Sequence, residues 1–372
     1  MKNIGVFVDR WLSGGIESYL VSNFENMNLK NVTITILTTR KFSDLYDDRL
    51  QRMGIEIKEL LPEGRDSELT RTFKSLRAFK EVLKNERYDV LHLNIYNGVS
   101  LVYSKIAREC GVERVIAHSH NSAMGQVRLR TLKIISHKLG KLRYEKFVSD
   151  YWACSDLAGA WLFSEKHKDK VILMKNGIDT TKFRYDKEKR RAFREKYDLS
   201  ENEWVLGNMG RLNNQKNQLF LLDIARELRK KGVSFTLLIA GEGELRNSIE
   251  AKITEYGLAK NVHLIGTVND ASSFYSAIDI FLLPSLFEGN PIVGIEAQCS
   301  GVKCLLADTI TRQAKVIDTT VFLSLESPAA WVKVIDESRT VDQNRRFFDR
   351  IVKKNHYDIS DTSRNLEMNL TN

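Results

Sequence analysis

The stretch Ile278-Asp279-Ile280-Phe281-Leu282-Leu283-Pro284-Ser285-Leu286-Phe287-Glu288-Gly289-Asn290-Pro291-Ile292-Val293-Gly294-Ile295-Glu296-Ala297 sets the architecture. Ile278–Leu283 is a near-continuous apolar run, the pattern of a strand buried on both faces of a parallel sheet. Pro284 ends it. Glu288-Gly289 makes a loop, Asn290 suits a helix N-cap, and Pro291 suits the first helical position. The helix start then presents free N–H groups and the positive end of a dipole, a seat for a phosphate. Glu288 precedes this helix and Glu296 lies near its second turn, so the two carboxylates reach different parts of one ligand.

Outward from that stretch, apolar runs alternate with amphipathic segments. The expected strands are Ile4–Val8, Val32–Leu37, Val90–Leu93, Val115–Ala117 and Tyr151–Ala153, then Trp204–Met209, Phe235–Ala240, Val262–Ile265, Ile278–Leu283 and Val302–Leu305. Phe73, Leu76, Phe79 and Leu83 recur at helical spacing, as do Leu221, Ile224, Ala225 and Leu228. Strand and helix in turn mean α/β architecture. The alternation runs twice, separated by Asn176-Gly177 and the charged stretch Asp186–Lys196. The domains expected are 1–175, with a C-terminal helix at about 355–372 packing back on it, and 176–354.

The chain has 372 residues, enough for two domains, with a hydrophobic fraction of 42% that excludes wholesale disorder. The formal net charge of +9 fits nucleic acid, an anionic membrane or a phosphate-bearing ligand. No nucleic-acid module is present, so no nucleic-acid partner is expected. Cys110, Cys154, Cys299 and Cys304 form no CxxC pair and read as reduced thiols. No apolar run approaches the roughly 20 residues of a membrane span. The start Met1–Trp11 shows no signal peptide, and a cytoplasmic protein is expected.

Ligands of open α/β sheets bind at the carboxyl ends of the strands. Four further loops lie there. Ser13-Gly14-Gly15 follows the first strand; two glycines allow a phosphate or sugar close to the backbone, or make a plain turn. GxGxxG is missing, which disfavours a dinucleotide cofactor. Gly210-Arg211-Leu212-Asn213-Asn214-Gln215-Lys216 brings a forked cation and a point cation to one strand end, fit for a diphosphate or merely solvated. Gly241-Glu242-Gly243-Glu244 suits a loop under a nucleotide. His118-Ser119-His120-Asn121 places histidines at a strand end. They lack a third metal ligand and read as sugar contacts or structural groups.

Together these residues resemble family 4 of the glycosyltransferases, nearly along the whole chain, and in wording the bacterial exopolysaccharide and capsule enzymes. The specific part is Glu, seven residues, Glu: Glu288 and Glu296. The resemblance implies the GT-B fold, with two Rossmann-like domains whose parallel sheets face a central cleft. It implies a retaining transfer of a sugar from a nucleotide-sugar donor, UDP-linked, to a glycan or lipid-linked acceptor in cell-surface polysaccharide synthesis. No cofactor or obligatory metal is implied. Arg211 and Lys216 would bind the diphosphate, with Gly14, Gly15, Gly241, Gly243, Asn290, Pro291 and Ile292 forming the rest of the donor site. Glu288 would contact the donor sugar, Glu296 the ribose, and His120, in preference to His118, the transferred sugar. Asn290 and Gly294 replace larger apolar residues of many relatives. A sugar-nucleotide epimerase or a non-catalytic assembly partner of the same fold are the competing readings.

Arg128–Phe147 carries seven lysines and arginines against Glu145 alone, with Leu129, Leu132, Ile135, Leu139 and Leu142 at helical spacing. That suits a helix on anionic lipid at the inner face of the membrane, or a helix whose leucines face the core beneath a basic surface. From the phosphate loop, Arg211→Ala and Lys216→Ala are each expected to cut turnover by roughly 10²-fold, the cost of one preorganised charge-stabilising donor. Steady-state rates of both purified, folded variants check this, and near-normal rates in both would remove the diphosphate role.

Overall fold

A computed structural model describes residues 1–61, 68–125, 129–340 and 345–371. The chain forms two units: Met1–Gly177 with the segment returning at Ile359, and Ile178–Asp358. The first unit holds β1 (Lys2–Trp11), β2 (Val32–Lys41), β3 (Glu56–Glu59), β4 (Val90–Ile95), β5 (Arg114–Ser119), β6 (Asp150–Ala153) and β7 (Val171–Leu173). Their order is β3-β2-β1-β4-β5-β6-β7, all parallel. The second unit holds β8 (Val205–Met209), β9 (Thr236–Ala240), β10 (Val262–Gly266), β11 (Ile280–Leu283), β12 (Lys303–Ala307) and β13 (Val321–Leu323), in the parallel order β10-β9-β8-β11-β12-β13.

All ten expected strands are present. The three that the pattern did not show, β3, β7 and β13, are three- or four-residue edge strands, where one open flank asks for little apolar sequence. The order reverses between β1 and β4 and between β8 and β11. Those two points are where carboxyl-end loops diverge and leave a crevice.

Each unit is closed by polar contacts, buried around Asp279 in the second and nearer the surface in the first. Asp279, at the foot of β11, accepts from Val205 N at 2.8 Å, Arg194 Nη2 at 2.8 Å and Arg190 Nη2 at 3.0 Å. A carboxylate removed from water needs such a set of partners. The returning helix Ile359–Thr371 is tied to the first unit by Lys2 Nζ on Thr371 O at 2.6 Å and by Glu367 Oε2 accepting from Asn28 N at 3.0 Å. No described helix is long and apolar enough to cross a membrane.

The helix Arg130–Tyr144 turns the opposite way from a core-facing leucine helix. Leu132, Ile135, Leu139 and Leu142 are exposed, Leu142 by 82%. The inward face is built on His137, Gly140 and Lys141. Gly98 N donates to His137 Nδ1 at 2.8 Å, which leaves Nε2–H to donate to Trp161 O at 3.0 Å. Lys141 Nζ reaches Trp161 O at 2.9 Å and Phe163 O at 2.8 Å, capping the end of helix Asp156–Leu162. Lys141 is therefore structural, not part of a basic surface. Arg128 of this segment lies outside the described residues.

Close approach of two glycines seats the helix. A Cβ on Gly140 would lie 2.4 Å from Gly98 O, and one on Gly98 would lie 2.2 Å from His137 O. Gly140→Ala is thus expected to destabilise the chain by about 1–3 kcal/mol through overpacking. Ser136→Ala on the exposed side of the same helix should stay within about 0.5 kcal/mol. Denaturant unfolding of the two variants checks the difference.

Candidate functional site

In the second unit, the loops after β8, β9 and β11 meet at the reversal of strand order. The loops after β8 and β9 are stitched by backbone: Gly210 N to Ala240 O at 3.0 Å, Leu212 N to Glu242 O at 2.9 Å, and Leu245 N to Leu212 O at 3.1 Å. Gly241 adopts φ +134°, and a Cβ there would stand 2.1 Å from Gly210 O. A Cβ on Gly243 would stand 2.3 Å from Leu212 O. These glycines are needed because two loops pack backbone to backbone.

The loop after β8 is equally tied to the loop after β11. Leu286 N donates to Gln215 O at 2.8 Å, Gln215 Nε2 to Phe287 O at 3.1 Å, and Asn217 Nδ2 to Pro284 O at 3.1 Å. Across this seam Lys216 Nζ meets Glu288 Oε1 at 2.7 Å, both side chains largely buried. The structure therefore joins Lys216 and Glu288, seventy-two positions apart in sequence. It does not bring Arg211 into that pair: its side chain is exposed and makes no ion pair among the described residues.

The helix after Glu288 spans Ile292–Cys299, with Pro291 rather than Asn290 at the N-cap. Proline at the cap, in extended conformation, moves the helix start one residue on. Gly294 N and Ile295 N both turn back to Pro291 O, so the first turn's unclaimed donors, among the described residues, are Ile292 N and Val293 N. Asn290 is buried, its Nδ2 3.4 Å from Tyr357 Oη. Glu296 Oε2 accepts from Tyr275 Oη at 2.9 Å. Burial lifts the Glu296 carboxyl to about 7, with the Tyr275 hydroxyl and the Lys182 charge pulling the other way. Tyr275 was not visible as a site residue; its only sequence signal is its place in an apolar helix.

In the first unit, Gly14 caps the helix Gly15–Glu25. Its N–H donates to Glu17 Oε2 at 3.0 Å, and Leu12 N donates to Glu17 Oε1 at 3.0 Å. Glu17 thus occupies the Gly14 donor, and the signal that could have found it is a glutamate three residues past the cap. At the end of β5, His118 is fully buried, its Nδ1 3.1 Å from His92 Nε2 on β4. His120 is only half-buried, with Nε2 2.8 Å from Asn94 Oδ1 on β4. Of the two, only His120 has a ring that reaches the surface of the strand end.

Two parallel α/β sheets, each reversing its strand order in this way, are the architecture of the GT-B fold. The solved structure of Anabaena HepE in complex with UDP-glucose shares that fold, with a TM-score of 0.80 over 100% of both chains at 14% identity. Residues 189–345 match the family described as glycosyl transferases group 1, and the chain is a glycosyltransferase carrying that domain. It is similar to the putative glycosyltransferase EpsF of Bacillus subtilis, 26% identical over 90% of this chain and 87% of that one. It is similar also to an Escherichia coli UDP-Gal:alpha-D-GlcNAc-diphosphoundecaprenol alpha-1,3-galactosyltransferase, 26% identical over 80% of this chain and 77% of that one.

The raised Glu296 has a consequence for stability. A carboxyl whose folded value lies above its ordinary 4.5 contributes stability that is complete below 4.5 and lost as pH rises through about 7. Glu296→Gln is expected to flatten the stability profile in that window. Denaturant melts at stepped pH read the slope, and an unchanged slope would remove the buried-carboxyl account.

Proposed function

We propose that the protein moves a sugar from a nucleoside diphosphate sugar, UDP-linked, to a lipid-linked saccharide in cell-surface polysaccharide synthesis, with retention of configuration. The Lys216–Glu288 pair beside the start of helix Ile292–Cys299 carries this reading. Breaking a sugar–phosphate bond builds negative charge on the departing diphosphate. Lys216, the Ile292 and Val293 N–H groups and Arg211 supply fixed positive charge to it. An ammonium has three donors, so the one given to Glu288 leaves two for phosphate oxygens. Glu288 contacts the donor sugar and Glu296 the ribose; His120 is the first unit's contact to a sugar hydroxyl. The E. coli relative is named for a UDP-sugar donor and a diphosphoundecaprenol-linked acceptor, which supports both substrate classes.

A lipid-linked acceptor sits at a membrane surface, and the helix Arg130–Tyr144 suits such a surface. Its outward stripe Leu132, Ile135, Leu139 and Leu142 is flanked by Lys138 and Arg143, about 100° per residue putting one cation on either side. Apolar side chains rimmed by cations match the acyl boundary beneath anionic headgroups.

Glu288→Ala should abolish transfer with the fold intact. Glu296→Ala should raise the donor dissociation constant more than it lowers kcat, because a ribose contact is made equally in ground and transition states. Calorimetry with UDP and radiolabel transfer assays separate these effects, and an unchanged donor affinity in Glu296→Ala would refute the ribose role. NMR of the product anomeric proton reads retention directly. For the surface, Lys138→Gln with Arg143→Gln should weaken co-sedimentation with vesicles containing phosphatidylglycerol and leave neutral vesicles unbound. Equal binding to neutral vesicles, or none to either, would remove the helix from the account.

A further inference from the structure

The first unit gathers three imidazoles. The rings of His118 and His120 lie 4.0 Å apart and those of His92 and His118 5.3 Å apart, with Tyr19 edge-on to His118 and His120. Desolvation pushes the His120 imidazole down to about 3 and His92 likewise, so this cluster is neutral near pH 7. A neutral imidazole has one N–H and one bare nitrogen, and its chemistry depends on which is which.

Asn94 decides that for His120. Asn94 is wholly buried in β4, and its Nδ2 donates to Phe7 O at 3.4 Å. A carbonyl can only accept, so the amide nitrogen must face Phe7 and the amide oxygen must face His120. That oxygen, also an acceptor only, stands 2.8 Å from His120 Nε2. The contact therefore requires a hydrogen on Nε2. The opposite tautomer would set two lone pairs against each other, with the wholly buried Asn94 oxygen left unpaired. Nδ1 is then the bare nitrogen. Buried, partnerless ring nitrogens occur at His92 Nδ1 and His118 Nε2; His120 Nδ1 is not among them.

We infer that Asn94 is a positioning residue that holds His120 in the Nε2–H tautomer and so presents Nδ1 as a hydrogen-bond acceptor for a substrate sugar hydroxyl. The sugar hydroxyl rests on the reading of His120 as a substrate contact; the tautomer does not. The arrangement makes the site selective for a donor group: a hydroxyl hydrogen satisfies Nδ1, whereas an ether or carbonyl oxygen there meets it lone pair to lone pair.

The test is ¹⁵N-histidine NMR of the full chain, with His120 assigned from its Gln variant. The wild type should show His120 protonated at Nε2 and unprotonated at Nδ1 at neutral pH. A proton on Nδ1 overturns the inference. Asn94→Leu should populate the other tautomer and lower kcat about tenfold, the equivalent of one hydrogen bond. Asn94→Asp keeps an acceptor, so Nε2–H should persist. Its carboxylate raises the ring pKa, so turnover should fall as pH drops and Nδ1 gains a proton, with recovery at higher pH. His92, His118 and Tyr19 are the other titratable groups around the ring. A flat Asn94→Asp profile matching wild type would overturn the positioning role, and this variant decides should Asn94→Leu fail to fold. Adding UDP-sugar should shift the Nδ1 resonance. An unmoved resonance with the expected tautomer would sink the substrate contact while leaving the Asn94 lock standing.

Discussion

Backbone groups that run past the end of a buried strand still need partners, and in the second unit they find them in one another. Gly210, Leu212, Gly241 and Leu245 hydrogen-bond from loop to loop beyond the last residues of β8 and β9, and Gly241 N continues the pattern to Gly266 O at 2.7 Å. A loop paired in this way cannot wander, because each departure would strand a buried N–H or C=O. Gln215 and Asn217 extend the stitching to the loop after β11. Lys216 and Glu288 are held at fixed separation by this scaffold rather than by their own attraction, which alone would be modest.

The Lys216–Glu288 site and the histidine cluster handle charge in opposite ways. In the second unit, the Lys216 ammonium sits against the Glu288 carboxylate, and the Asp279 carboxylate is held by two arginines and an amide. In the first unit, the cluster around His92, His118 and His120 has no such counter-charge. Desolvation strips the protons instead, leaving neutral rings that differ in how they are hydrogen-bonded. The second unit thus carries an ammonium–carboxylate pair at its strand ends, and the first a cluster of neutral rings with oriented lone pairs and N–H groups.

The helix Arg130–Tyr144 shows how far a pattern can be read. Its leucine spacing defines one face and its basic residues the others, but periodicity carries no arrow. The face that turns inward is set by Gly98 and Gly140, where two backbones touch, and by His137 and Lys141, which satisfy carbonyls at the end of a neighbouring helix. Two small residues and two polar ones outcompete four large apolar ones for the interior because they alone permit the close approach. Lys141 therefore leaves the basic surface to which its sequence neighbours belong.

The buried strands, the alternation that makes two α/β units, the strand–Glu–Gly–Pro–helix stretch and the glycine loops were all legible in the sequence. Each is a local property: apolar runs, turn residues and caps act within a few positions. The edge strands β3, β7 and β13 were not, since a strand with one open flank needs little apolar character. Nor were Asn94, Glu17 and Tyr275. All but Glu17 act through a partner brought near by the fold, Asn94 on His120 across adjacent strands and Tyr275 on Glu296 from a neighbouring helix. Local pattern was enough to say which residue types stand at the strand ends. Which of them meet, which nitrogen of a histidine carries its hydrogen, and which face of a helix reaches water were settled by the packed chain alone, because they depend on distances between segments that no local pattern encodes.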